Sequence, residues 1–177
     1  MIRRERVNVK KLYLPLLLIL LAASQNSLFV HLKIFGVIPD LVLIFDICVV
    51  LAVGNPYGTI TAMLGGIIVD TFSGAPFGIQ SIGYMVSVYL IGAVEGKIYK
   101  DNIFVPGIFT FLGSIVKESI VGAFLYLTGA QISFYPYLLK FIIPLAIYNT
   151  VLAAIFYRYI GKLMVKLSLN KPGGFNA

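Results

Sequence analysis

Residues 54–78 read Gly54-Asn-Pro-Tyr-Gly58-Thr-Ile-Thr-Ala62-Met-Leu-Gly-Gly66-Ile-Ile-Val-Asp70-Thr-Phe-Ser-Gly74-Ala-Pro-Phe-Gly78. Every residue between Tyr57 and Val69 is apolar, small or a threonine, which is the composition of a membrane span, and yet Asp70 closes the run. An ionisable group at a bilayer centre costs from about 3 to more than 10 kcal/mol, so Asp70 is expected to face protein or trapped water and to need a partner. Small residues stand at every fourth position before it: Gly54, Gly58, Ala62 and Gly66. On a helix these form one slanted ridge that lets another helix approach closely. Gly74 follows Asp70.

Working outward, the composition agrees with a membrane setting. The 177 residues are 59% hydrophobic and 12% charged, against about 25% charged in a soluble domain. Mean hydropathy is +0.96. There is no Trp, but 11 Tyr and 13 Phe are available for the interfacial belts that Trp often occupies. A net charge of +7 would suggest nucleic acid in a soluble chain. Here the basic residues lie mostly at the chain ends and in one short loop, so they read as topology signals and argue against nucleic-acid binding.

Six apolar runs cover residues 12–32, 39–53, 57–73, 78–96, 103–127 and 137–163. The expectation is an all-α membrane protein of six transmembrane helices in a compact bundle. A span needs about 20 residues, so the short second and third runs are expected to be oblique or covered by neighbours. The domain organisation expected is a basic N-terminus at 1–11, a membrane domain at 12–166 and a tail at 167–177. Arg3, Arg4, Arg6, Lys10, Lys11, Lys97, Lys100, Arg158, Lys162, Lys166 and Lys171 fall on one side, and only Lys33 and Lys140 on the other. That bias puts both termini in the cytoplasm. The first run has a second reading as a cleaved signal peptide, with Arg3–Lys11 before Leu12–Leu21 and Ala22-Ala23-Ser24 after it. An uncleaved helix is preferred because apolar residues resume at Leu28-Phe29-Val30.

Asp46, Asp70, Lys117 and Glu118 fall inside predicted spans. Counted from the span ends at about 1.5 Å per residue, all four land in the outer half. Lys117 is expected to neutralise Asp46 or Asp70 across a helix interface. The resulting cluster either fixes helix register or forms a proton or ligand site. Asp40, after Pro39, reads as a helix cap or first-turn acid. Gly92 and Gly96 form one small-xxx-small pair, and Gly113, Ser114 and Gly122 lighten the fifth run for close packing.

Chemistry-bearing patterns are sparse. His31 is the only histidine, and Cys48, in an apolar run, is the only cysteine. No zincin, nucleophile-elbow, P-loop or dinucleotide pattern occurs. Ser114 and Lys117, three apart, faintly suggest a Ser–Lys pair without a supporting motif. The expectation is no enzyme, no cofactor and no metal.

The middle of the chain resembles the MreD family of rod shape-determining membrane proteins. Gly36-Val-Ile-Pro39-Asp40-Leu resembles the family's Pro-Asp-Leu helix start. Gly65-Gly66-Ile-Ile-Val-Asp70-Thr-Phe-Ser-Gly74-Ala-Pro76-Phe-Gly78 resembles its Gly-rich third helix and turn, and Tyr84, Tyr89 and Gly92 continue the pattern. The resemblance implies a non-enzymatic scaffold of the cell-elongation and peptidoglycan-synthesis machinery in the bacterial cytoplasmic membrane. Its implied partners are an MreC-like bitopic protein, RodA, a class B penicillin-binding protein and MreB. It also implies a bundle similar to the substrate-binding S components of vitamin transporters. In the scaffold reading, Gly58, Ala62, Gly66, Asp70, Gly74 and Gly78 serve partner binding or helix packing. The alternative is an S component whose ligand pocket is lined by Asp46, Asp70, Lys117 and Glu118. Against it, the first span offers only adjacent Ala22-Ala23 where S components tend to carry Ala-x-x-x-Ala.

Overall fold

The computed structural model describes residues 9–74, 76–94 and 104–167. Arg3, Arg4 and Arg6, the side chains of Lys10 and Lys11, the loop with Glu95, Gly96, Lys97, Lys100 and Asp101, and the tail with Lys171 lie outside them. The regular structure among the described residues is helical: α1 Val9–Ser27, α2 Leu41–Val53, α3 Tyr57–Ser73, α4 Ile79–Val94, α5 Phe104–Leu127, α6 Phe134–Tyr137 and α7 Ile143–Lys166. A π-helical segment, Leu138–Ile142, joins α6 to α7, so one 33-residue helix runs from Phe134 to Lys166. The last apolar run is therefore longer than its hydropathy suggested at both ends.

All thirteen residues of α2 are buried. A helix that is apolar all round belongs in a core or in lipid. This one is buried by its own chain, where α3, α7, α4, α5 and α1 pack against it. The outer helices follow each other around α2 in the order α1, α3, α4, α5, α7, each packed on the next. The ring stays open between α7 and α1, which barely touch.

Helix direction defines two ends. At the upper end α1, α3 and α5 finish and α4 and α6 begin, and α2 also runs downward from that side. At the lower end α2 turns into α3 through Gly54, at φ 80°. The link from α1 to α2 contains a 3-10 turn, Phe29–Leu32, and a tight reversal in which Ile34 pairs with Val37. It then descends into the bundle, with Val37 and Asp40 2% and 3% exposed. As a result α2 begins near mid-depth rather than at the surface.

Two described helices, Phe104–Leu127 and Phe134–Lys166, are long and apolar enough to cross a membrane, and Tyr13–Ser27, Leu41–Val53 and Ile79–Val94 are shorter apolar helices. Large apolar side chains cover the outside of the ring, among them Leu16, Ile60, Leu90, Leu112 and Ile155.

The small-residue ridge of α3 is used internally. A Cβ on Gly58 would stand 2.3 Å from that of Val50 on α2, and one on Gly66 would stand 2.5 Å from the Ser81 Cα on α4. Ala62 is fully buried. The ridge is thus filled by α2 and α4 and leaves no open face there for a partner helix. Gly92 likewise receives the Asn55 side chain of the α2–α3 turn. Gly74 ends α3 in the left-handed conformation at φ 64°, a helix stop that favours glycine.

Candidate functional site

The start of α2 leaves backbone N–H groups that need acceptors, and three elements supply them. Asp40 caps its own helix by accepting from the Leu43 N–H at 3.0 Å. Gln25 of α1 accepts the Leu41 N–H at 3.0 Å. Asn149 of α7 accepts the Asp40 N–H at 2.8 Å and donates to Ser114 of α5 at 3.0 Å. The cap expected of Asp40 is present, but at mid-depth and 3% exposed.

Burial makes the Asp40 carboxylate costly unless it is paired. Lys117 of α5 provides the charge, with Nζ 3.2 Å from Asp40 Oδ2 and 2.6 Å from Glu118 Oε1. Tyr84 of α4 donates its hydroxyl to Asp40 Oδ1, and its ring lies under Lys117 Nζ at 5.0 Å. Tyr137 of α6 donates to Glu118 Oε2 at 3.1 Å and stacks on Phe141 at 5.2 Å. Gly83 lets α4 close on α5 at this level, since a Cβ there would meet the Lys117 chain at 3.3 Å.

The expected cluster is therefore rearranged. Lys117 pairs with Asp40 and Glu118, and neither Asp46 nor Asp70 joins it. Asp70 instead accepts the Gln80 and Ser81 N–H groups at 3.0 Å each and the Ser81 hydroxyl. It caps α4 from the end of α3, where a carboxylate also meets the favourable end of the helix dipole. Asp46 lies deeper than expected, because α2 starts level with Lys117. Its neighbour Ile47 packs at Gly113, below the middle of α5. Asp46 is fully buried, and neither of its oxygens has a hydrogen-bond partner. It faces the bare backbone of Gly65, where a Cβ would come within 2.7 Å of Asp46 Oδ2.

Ser114 and Lys117 show no Ser–Lys arrangement: Ser114 holds Asn149 and Lys117 holds carboxylates. Among the described residues, no group of three His, Cys, Asp or Glu side chains is placed to hold a metal ion. Tyr84, Tyr137, Asn149 and Gln25 belong to the polar site as well, beyond the charged residues that the sequence points to. Asn149, an amide in an otherwise apolar run, carried the clearest signal.

Above the cluster lies a cavity of about 410 Å³ that opens toward the upper end, with Asp40, Tyr84, Lys117, Glu118 and Tyr137 in its wall. Separate apolar grooves run along the open flank between α1 and α7. One, of about 390 Å³, includes Leu21, Leu28, Phe45, Phe156 and Ile160. The other, of about 570 Å³, includes Tyr13, Leu16, Leu20, Leu163 and Leu167.

In comparisons with known proteins, residues 6–167 match the family described as rod shape-determining protein MreD. No curated protein and no solved structure matches the chain.

Proposed function

The chain belongs to the MreD family, and from that premise we propose that it is a non-enzymatic scaffold subunit of the bacterial cell-elongation machinery. Family membership itself gives a membrane protein of bacterial shape determination. The finer reading is a six-span protein with both termini in the cytoplasm, so that the upper end faces outward. Arg158, Lys162 and Lys166 near the lower end, against Lys33 and Lys140 near the upper, support that orientation.

The proposed partner is an MreC-like bitopic protein, within a larger assembly of RodA, a class B penicillin-binding protein and MreB. One observation carries the docking site: five helices ring α2 and the sixth flank, between α7 and α1, is open and lined by apolar grooves. An α-helix about 10–12 Å across is the element that completes such a ring. In lipid, helices associate by close packing rather than by a hydrophobic force, so a grooved flank favours a partner span over a smooth one. Gly58, Ala62, Gly66, Asp70, Gly74 and Gly78 then act indirectly, by holding α3 and α4 in place. Asp40, Lys117 and Glu118 hold α2 as the post of the ring. The match to MreD supports this reading over the S-component alternative.

Affinity purification from native membrane in mild detergent tests the proposal. A co-purifying single-span protein with a large outer domain is expected, and depletion of the chain should round the cells. Purification of the chain alone, with rod shape kept on depletion, would contradict it.

A further inference from the structure

The cavity above α2 has a chemistry of its own, independent of the α1–α7 flank. Its wall holds two carboxyl groups, Asp40 and Glu118, against one buried ammonium, Lys117. The other cationic residue in the wall, Lys33, is exposed and so is screened by solvent. A carboxylate offers about four acceptor positions. Glu118 uses one oxygen for Lys117 and the other for Tyr137, which leaves acceptor capacity on both. Gln80, also in the wall, has an Oε1 without a hydrogen-bond partner. Aromatic rings complete the lining: Tyr84, which already carries Lys117 Nζ over its face, and the stacked pair Tyr137 and Phe141. Surplus acceptors, a surplus carboxyl among the buried groups and π faces together select a cation with N–H donors. The apolar remainder of the wall, Ile38, Val69, Val121, Leu125 and Leu145, suits a short hydrocarbon stem.

We propose that this cavity binds a primary alkylammonium group entering from the upper end, with Glu118 as its charge partner. The group comes either from a free amine or from a lysine side chain of another protein; the chemistry is the same.

The test uses the full chain in detergent with n-butylammonium as probe, and 1-butanol and butyrate as controls. Saturable one-to-one binding of butylammonium, with a raised melting temperature, is expected. The two controls should give neither. Glu118→Gln should weaken binding at least tenfold. Gln80→Leu, which leaves the ion pairs intact, should weaken it severalfold and guards against misfolding of the first variant. Absence of saturable binding, or equal binding of butylammonium and 1-butanol, would overturn the proposal, as would unchanged affinity in both variants. A photo-crosslinking residue at Phe141 then separates the sources in native membrane. A protein adduct assigns the ammonium to a lysine side chain, and a small amine retained in native mass spectrometry assigns it to a free ligand.

Discussion

Lys117 on α5 and Asp40 at the start of α2 meet at 3.2 Å with side chains only 6% and 5% exposed. The contact fixes the depth of α2, because it ties that helix's first turn to the middle of the 24-residue α5. Removing one partner of a buried pair leaves an uncompensated charge, at a cost of about 3–5 kcal/mol. Lys117→Met should therefore lower the melting temperature of the detergent-solubilised protein sharply. Asp40→Asn combined with Lys117→Met should cost less than the sum of the two single changes. Additive effects would mean that the pair is not coupled.

Gly66 lies against the Ser81 backbone of α4. Gly66→Ala should force α3 and α4 apart and destabilise by about 1–3 kcal/mol, the usual range for overpacking. Leu64→Ala, at a position 42% exposed, should stay within about 0.5 kcal/mol. Thermal melts of the two variants side by side check this contrast.

Asp70 replaces the N-terminal cap that α4 lacks in its own sequence. Asp70→Ala should cost about 0.5–2 kcal/mol, the range for losing a cap, and Asp70→Asn should recover part of it, because an amide oxygen still accepts one N–H. Equal losses in the two variants would show that the charge, not the hydrogen bonding, carries the effect.

Orientation can be read chemically in intact cells. Lys33→Cys should react with a membrane-impermeant maleimide, whereas Lys162→Cys should react only after the membrane is opened. Cys48 is buried and should contribute little background. The reverse labelling pattern would invert the proposed topology.

Much of the helix layout was legible in the apolar runs. The run 57–73 coincides with α3, and 103–127 differs from α5 by one residue. The last helix begins three residues before its run, at Phe134, because Tyr135 and Pro136 dilute the hydropathy of its first turn. The partner of Lys117 was not legible. Its choice depends on how far residues 28–40 dip before α2 starts, and no periodicity encodes that depth. For the same reason counting residues from the span end places Asp46 too near the outer surface. Uniform apolarity could not reveal α2 as the central helix either, since a lipid-facing span and a wholly buried one share it.

In the proposed assembly a partner span fills the flank between α1 and α7. The most direct test is photo-crosslinking in living cells from three exposed positions: Leu20 on α1, Phe156 on α7, and Leu90 on α4 across the ring. Adducts to one single-span protein from positions 20 and 156, and none from 90, are predicted. Adducts from position 90 with none from 20 or 156 would contradict the claim.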